Sequence, residues 1–305
     1  MDLSGRDPII EAIRSGVSVG IRGTRSRTVP ITGVQPDTWV GAPVGVIDFQ
    51  PDEMTVRVRA GTSIAELSSE LGTRGQFVHG IDSGVGTVGG ALACGRSGLH
   101  RLGRGSIRDV ALEVRLIDHR GNLVKAGGPT VKNVSGFDLC RLFVGSFGVL
   151  GFAHEFVLRT RPRPLAECWF VAPVSEAEEV ARIQRGFYRP SSILWDGREV
   201  HLCLTGHPSD IDAQIAGSRF SWQPVGAPEV PTDWRQGTVR PADVASIVER
   251  EPGRVIAQVG TGTIHRPGPS ATRAEQPERR GIVDRLLAEF NPRRLLNPHV
   301  DTESL

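Results

Sequence analysis

The chain has 305 residues, 36 basic and 34 acidic side chains, and 39% apolar residues. That balance excludes a disordered chain, whose mark is low hydrophobicity with high net charge, and leaves no basic excess for nucleic acid. No stretch nears the ~20 consecutive apolar residues of a membrane span, and MDLSGRDPIIEAIRSG does not read as a secretory signal. The expectation is a cytoplasmic protein of one large or two ordinary domains, without direct membrane insertion.

In chain order, Val19-Gly20-Ile21 reads as an apolar strand running into the polar loop Arg22-Gly23-Thr24-Arg25-Ser26. Backbone N–H groups of such a loop can cradle an anion, with Arg22 and Arg25 adding charge; a plain surface turn is the other reading. Met54, Val56, Val58 and Ala60 alternate with polar residues as a half-buried strand. Ser63 and Glu66 make a capping box for a helix carrying Ile64, Leu67 and Leu71 on one face.

Glycine then becomes dense, with 18 between Gly72 and Gly151. In Gly84-Val85-Gly86-Thr87-Val88-Gly89-Gly90-Ala91-Leu92-Ala93-Cys94-Gly95, a pyrophosphate could approach the main chain and the start of a helix. It is not the dinucleotide fingerprint, because no clear βαβ unit or ribose-binding acid follows. Gly105-Ser106-Ile107-Arg108-Asp109 leads into an alternating strand through Leu116, and Asp118 to Gly121 turns it into a return strand. The segment Lys132-Asn133-Val134-Ser135-Gly136-Phe137-Asp138 precedes a short helix through Phe143. Val149, Leu150 and Gly151 then enter another strand from Phe152.

Glycine thins out from Cys168. The order strand, helix, strand, strand, helix, strand between Cys168 and about Phe220 is the split βαβ plait. Val225 to Asp243 reads as a loop, Val255 to Val259 as one more strand, and Ile282 to Phe290 as a helical stripe. The four cysteines, Cys94, Cys140, Cys168 and Cys203, lie far apart with no CxxC, so neither a metal site nor an iron–sulfur cluster is expected on this chain.

Four segments in this order resemble the FAD-binding half of the vanillyl-alcohol-oxidase / p-cresol-methylhydroxylase family. Lys132 to Gly151 (KNVSGFDLCRLFVGSFGVLG) is similar to the flavin-binding second subunit of bacterial glycolate oxidases, and Phe290 to Pro298 resembles the family's C-terminal segment. The resemblance implies an α+β fold, with a two-lobed FAD-binding domain over 1–164 and a small antiparallel ferredoxin-like cap over 165–263. Residues 264–305 would be a mobile linker and a helix returning to the FAD domain. It also implies FAD contacts from Arg22, Gly23, Thr24, Arg25, Ser26, Gly86, Thr87, Val88, Gly89, Gly90 and Gly95. Further contacts would come from Ser106, Arg108, Asp109, Lys132, Asn133, Gly136, Val149 and Gly151.

Two departures from the family shape the expectation. The first loop carries no histidine, so the FAD is expected to be non-covalent. No closely spaced histidine pair occurs, leaving His265 as the one weak catalytic candidate. The implied function is an FAD subunit of a 2-hydroxy-acid (glycolate or D-lactate type) dehydrogenase complex, beside a second FAD subunit and an iron–sulfur subunit. Any membrane association would come through those partners. A stand-alone oxidase of another small alcohol or amine, or a non-catalytic flavin-fold subunit, are the alternatives.

Overall fold

The computed structural model describes residues 8–24, 26, 31–81, 84–128, 139–231, 234–267 and 277–302. Two compact units divide the chain: Met1–Arg96, Ser106–Pro162 and Thr272–Leu305 form the first, and Ser97–Gly105 with Arg163–Ala271 the second. No described helix is long and apolar enough to cross a membrane.

The first unit is built on a five-stranded antiparallel sheet in the order Val46–Gln50, Thr55–Arg59, Phe152–Arg159, Ala111–Ile117, Leu123–Gly127. The central strand Phe152–Arg159 is buried along nearly its whole length, as a strand covered on both faces must be. Ser63 caps the helix Ile64–Gly72 by accepting from the Glu66 N–H at 3.1 Å. The helix residues Ile64, Leu67 and Leu71 share one core with Val56, Val58, Val114, Phe156 and Leu158. Each such side chain is worth about 1.5–3 kcal/mol when taken fully from water.

Beside this core, Val19–Ile21 and Thr38–Val40 form a short parallel pair. The C-terminal segment joins it: the Val19 N–H donates to the Leu295 carbonyl at 2.6 Å, and Asn297 N–H to the Val19 carbonyl at 2.8 Å. Ile9, Ile10 and Ile13 of the helix Pro8–Arg14 pack with Val19 and Leu296 beneath it.

The second unit is a seven-stranded antiparallel sheet, in the order Gln223–Val225, Ala166–Pro173, Glu199–Gly206, Ser192–Trp195, Ile256–Gln258, Thr263–Arg266, Arg235–Thr238. Helices Ala177–Gly186 and Pro208–Ala216 follow the first and third strands in sequence. Their Val180, Ile183 and Ile211 pack with Ile193, Trp195, Val200, Leu202 and Leu204 on one sheet face.

Two elements here differ from the sequence expectation, and a third lies where the sequence pointed to no element. Arg235–Thr238 is an edge strand inside the stretch expected to be a loop, held by pairing with Thr263–Arg266 although its own residues lack apolar alternation. Thr263–Arg266 carries the sheet past residue 263, where the linker was expected to begin. Val244–Arg250 is a helix anchored by Val244 and Val248. Non-local pairing and burial supplied these elements, and neither is visible in a short window.

Candidate flavin site

The first unit holds a cavity of about 410 Å³, within the size range of cofactor pockets. Its floor is small: Ala42, Ala60, Gly61, Gly89, Gly90, Ala93, Gly151 and Ala153 all line it. Trp39, Phe143 and Phe147 give it aromatic walls, and Arg22, Gly23, Thr24 and Ser26 bring the first loop to it. Small residues leave room for a large planar group, and the loop offers polar atoms at the edge.

The first loop leaves its sheet after the Arg22 N–H donates to the Val40 carbonyl at 2.8 Å. Among the described residues, the Gly23 and Thr24 N–H groups make no hydrogen bond, while the Thr24 hydroxyl donates to Ser26 Oγ at 3.2 Å. Backbone N–H groups of this kind, beside the Arg22 guanidinium, suit phosphate oxygens.

The glycine segment works differently from the expectation. The helix it opens is Val88–Cys94, capped by Thr87, whose Oγ1 accepts from the Gly90 N–H at 3.1 Å. The Val88 and Gly89 N–H groups donate to the Thr62 and Ala60 carbonyls at 2.9 and 2.7 Å. These first three amides are therefore already engaged within the chain. A Cβ on Gly89 would lie 2.9 Å from both Ala60 Cβ and Ala60 O. Gly89 is a glycine because the helix packs tightly on the strand end, whatever it does for a ligand.

Of the residues expected to bind the cofactor, Arg22, Gly23, Thr24, Ser26, Thr87, Gly89, Gly90 and Gly151 line the cavity. Val88 and Val149 are core residues at 0% and 1% exposure. The Gly86 carbonyl accepts from the Ile64 N–H, and Gly95 ends the helix at φ +64°, its would-be Cβ 2.7 Å from Gly145 Cα. Ser106 and Asp109 close a reciprocal capping box around Arg108. None of these last seven is in the lining, and their positions have local structural reasons. Arg25, Lys132, Asn133 and Gly136 lie outside the described residues.

Sequence reasoning missed the C-terminal contribution. Asn297 and His299 line the cavity. The Asn297 side chain accepts from the Ile21 N–H at 2.6 Å and donates to the Phe147 carbonyl at 2.8 Å. The His299 ring lies 4.8 Å from that of Trp39, and the Arg22 guanidinium lies 5.8 Å from the Trp39 ring centroid. Burial holds the His299 pKa below its ordinary value, so the ring is neutral at pH 7. The resemblance of Phe290 to Pro298 was the available signal, but it did not single out either residue.

His265, the catalytic candidate, sits in the second unit on the strand Thr263–Arg266, with Nε2 2.9 Å from Gln258 Nε2. Its exposure is 7%.

Fold and cavity together define a flavin-binding protein: residues 9–127 match the FAD binding domain family. The cofactor is FAD, and the glycine- and alanine-lined cavity fits it. Over 250 residues the chain is 29% identical to glycolate oxidase subunit GlcE of Escherichia coli, covering 76% of this chain and 70% of that one. It is also 29% identical over 121 residues to glycolate oxidase subunit GlcD of Bacillus subtilis, covering 39% of this chain and 26% of the relative. With a D-lactate dehydrogenase of Anaerostipes hadrus it shares 26% over 136 residues, covering 44% of this chain and 28% of the relative. The match thus spans about a quarter of the length of the last two. A solved structure of alkyldihydroxyacetonephosphate synthase superposes with a TM-score of 0.69 at 15% identity, covering 95% of this chain and 74% of that one, a likeness of fold.

Proposed function

We propose that this chain is an FAD-dependent oxidoreductase acting on 2-hydroxy acids, of the glycolate or D-lactate kind, as one subunit of a larger complex. The observation that carries this reading is the formed cavity in a chain similar to GlcE over most of its length. FAD supplies the hydride-accepting chemistry; the protein binds it, orients it and excludes water. Arg22, Gly23, Thr24 and Ser26 would hold the phosphates, and the small-residue floor with Phe143 and Phe147 would hold the planar parts. Within this reading 1–164 is the FAD domain, 165–263 the cap, and 264–305 the linker and returning helix. His265 is the candidate base.

Electrons leaving reduced FAD need an acceptor. The four cysteines are far apart in sequence and none is in a CxxC, the spacing by which clusters are commonly held. An iron–sulfur subunit and a second FAD subunit would complete the electron path.

The test is anaerobic bleaching of the flavin by glycolate and D-lactate, with the isolated chain and with the co-expressed complex. Bleaching that is slow in isolation and fast in the complex supports the reading. A full rate in isolation overturns the dependence on partners, and no bleaching in either overturns the substrate class. His265→Asn is expected to slow bleaching with FAD content unchanged.

A further inference from the structure

The segment Ser97–Gly105 crosses the face of the second unit's sheet opposite its helices. There Leu99 packs with Trp169, Leu194 and Cys203, and the His100 ring lies 5.5 Å from that of Trp169. His100 Nε2 is 3.4 Å from Glu167 Oε1. A ring nitrogen of His100, a carboxylate oxygen of Glu167 and Cys203 Sγ all lie within 4.8 Å of one another.

We propose that His100, Glu167 and Cys203 bind a zinc ion, with one coordination position left for an exchangeable ligand. Imidazole, carboxylate and thiolate form a borderline-soft donor set that suits zinc, and three protein ligands are the pattern of an open site. On binding, the Cys203 thiol releases its proton to solvent as the sulfur–zinc bond forms. Glu167 and the thiolate then balance the ion's two charges.

The groups behind the ligands are already in place. His100 Nδ1 is 3.1 Å from Ser191 Oγ, which leaves Nε2 for the ion. Arg104 pairs with Glu167 Oε2, which leaves Oε1 on the His100 side. Such outer contacts fix the orientation of metal ligands. A second, independent observation points to a ligand here. Trp169 and Ser192 flank Cys203 directly across the neighbouring strands, so all three share this face. Among the described residues, Trp169 Nε1 and Ser192 Oγ, on residues 5% and 0% exposed, have no hydrogen-bond partner. Buried polar atoms of this kind are costly unless something meets them.

The experiment is metal analysis of the full-length holoprotein, followed by cobalt(II) titration of chelator-treated protein. One zinc per chain and a thiolate-to-cobalt charge-transfer band are expected. Cys203→Ala should abolish the band and weaken zinc binding at least about 100-fold. Cys168→Ala, on the opposite face, should change neither. Glu167 is exposed enough for Glu167→Gln to fold, and it should weaken binding about 10-fold or more even if Cys203→Ala does not fold. No zinc above background together with no thiolate band overturns the proposal, as does a band that survives Cys203→Ala.

Discussion

Asn297 and Ile21, 276 residues apart in sequence, are joined by a hydrogen bond of 2.6 Å from the Ile21 N–H to the Asn297 side chain. That side chain also donates to the Phe147 carbonyl, and its residue has φ +48°, a left-handed conformation that asparagine tolerates. One buried amide thus ties the strand before the first loop to the Phe147 turn, with all three residues in the cavity lining.

Asn297→Ala would leave the Ile21 N–H and the Phe147 carbonyl without this partner and put a poor residue in the left-handed region. Unpaired buried groups cost about 1–3 kcal/mol each. The expected outcome is a lower melting temperature and an FAD Kd raised about 10-fold, read by flavin fluorescence titration. Unchanged affinity would mean that the loop does not need this tie.

Gly89→Ala should destabilise the protein before any ligand is added. The new methyl would lie 2.9 Å from the Ala60 Cβ and carbonyl oxygen, and overpacking of this kind costs about 1–3 kcal/mol. Denaturant unfolding of the apo protein checks this. Adding Ala60→Gly removes one clash and leaves the carbonyl, so it should restore only part of the loss.

The comparison of sequence and structure turns on the same residues. The Ser63–Glu66 cap and the Thr55–Arg59 strand were legible because a cap and an alternating strand are local signals. The glycine segment was legible as important, yet Gly89 and Gly95 proved to be points where backbone meets backbone. A glycine in a sequence marks a close approach but does not say to what. Asn297, His299 and the His100–Glu167–Cys203 cluster were not legible, because their neighbours come from segments far apart along the chain.

Acid stability should depend on Glu113. Burial opposes its ionisation, but hydrogen bonds from Lys125 and Arg57 outweigh this and lower its pKa below the ordinary 4.5. Arg57 also reaches Glu155. A carboxylate whose folded pKa is depressed contributes fully above its unfolded pKa, and that contribution fades as the pH falls through the folded value. Unfolding free energy should therefore drop below about pH 4.5. Glu113→Gln should cost about 1–3 kcal/mol at pH 7, the worth of its hydrogen bonds to charged partners, because Arg57 keeps Glu155, and it should flatten that acid limb. A variant with the wild-type acid slope would assign the loss to other groups.

The cavity itself is best tested by filling it. Ala93 sits on the helix Val88–Cys94, partly exposed and in the lining, and its carbonyl accepts from the Phe147 N–H. Ala93→Phe keeps that backbone bond and places a ring in space that the chain leaves open. With the ring in the open cavity, the apo fold should lose no more than about 0.5–1 kcal/mol. FAD, competing for the same volume, should bind at least about 100-fold more weakly. The readouts are the apo unfolding curve, the colour of the purified protein and its FAD titration. The same preparations test attachment: wild-type colour should be released on acid precipitation, since the first loop lacks a histidine. Colour kept in the pellet would point to His299 or Cys94, a histidine and a cysteine in the lining, as the attachment site. A yellow, fully loaded Ala93→Phe variant would place the flavin elsewhere.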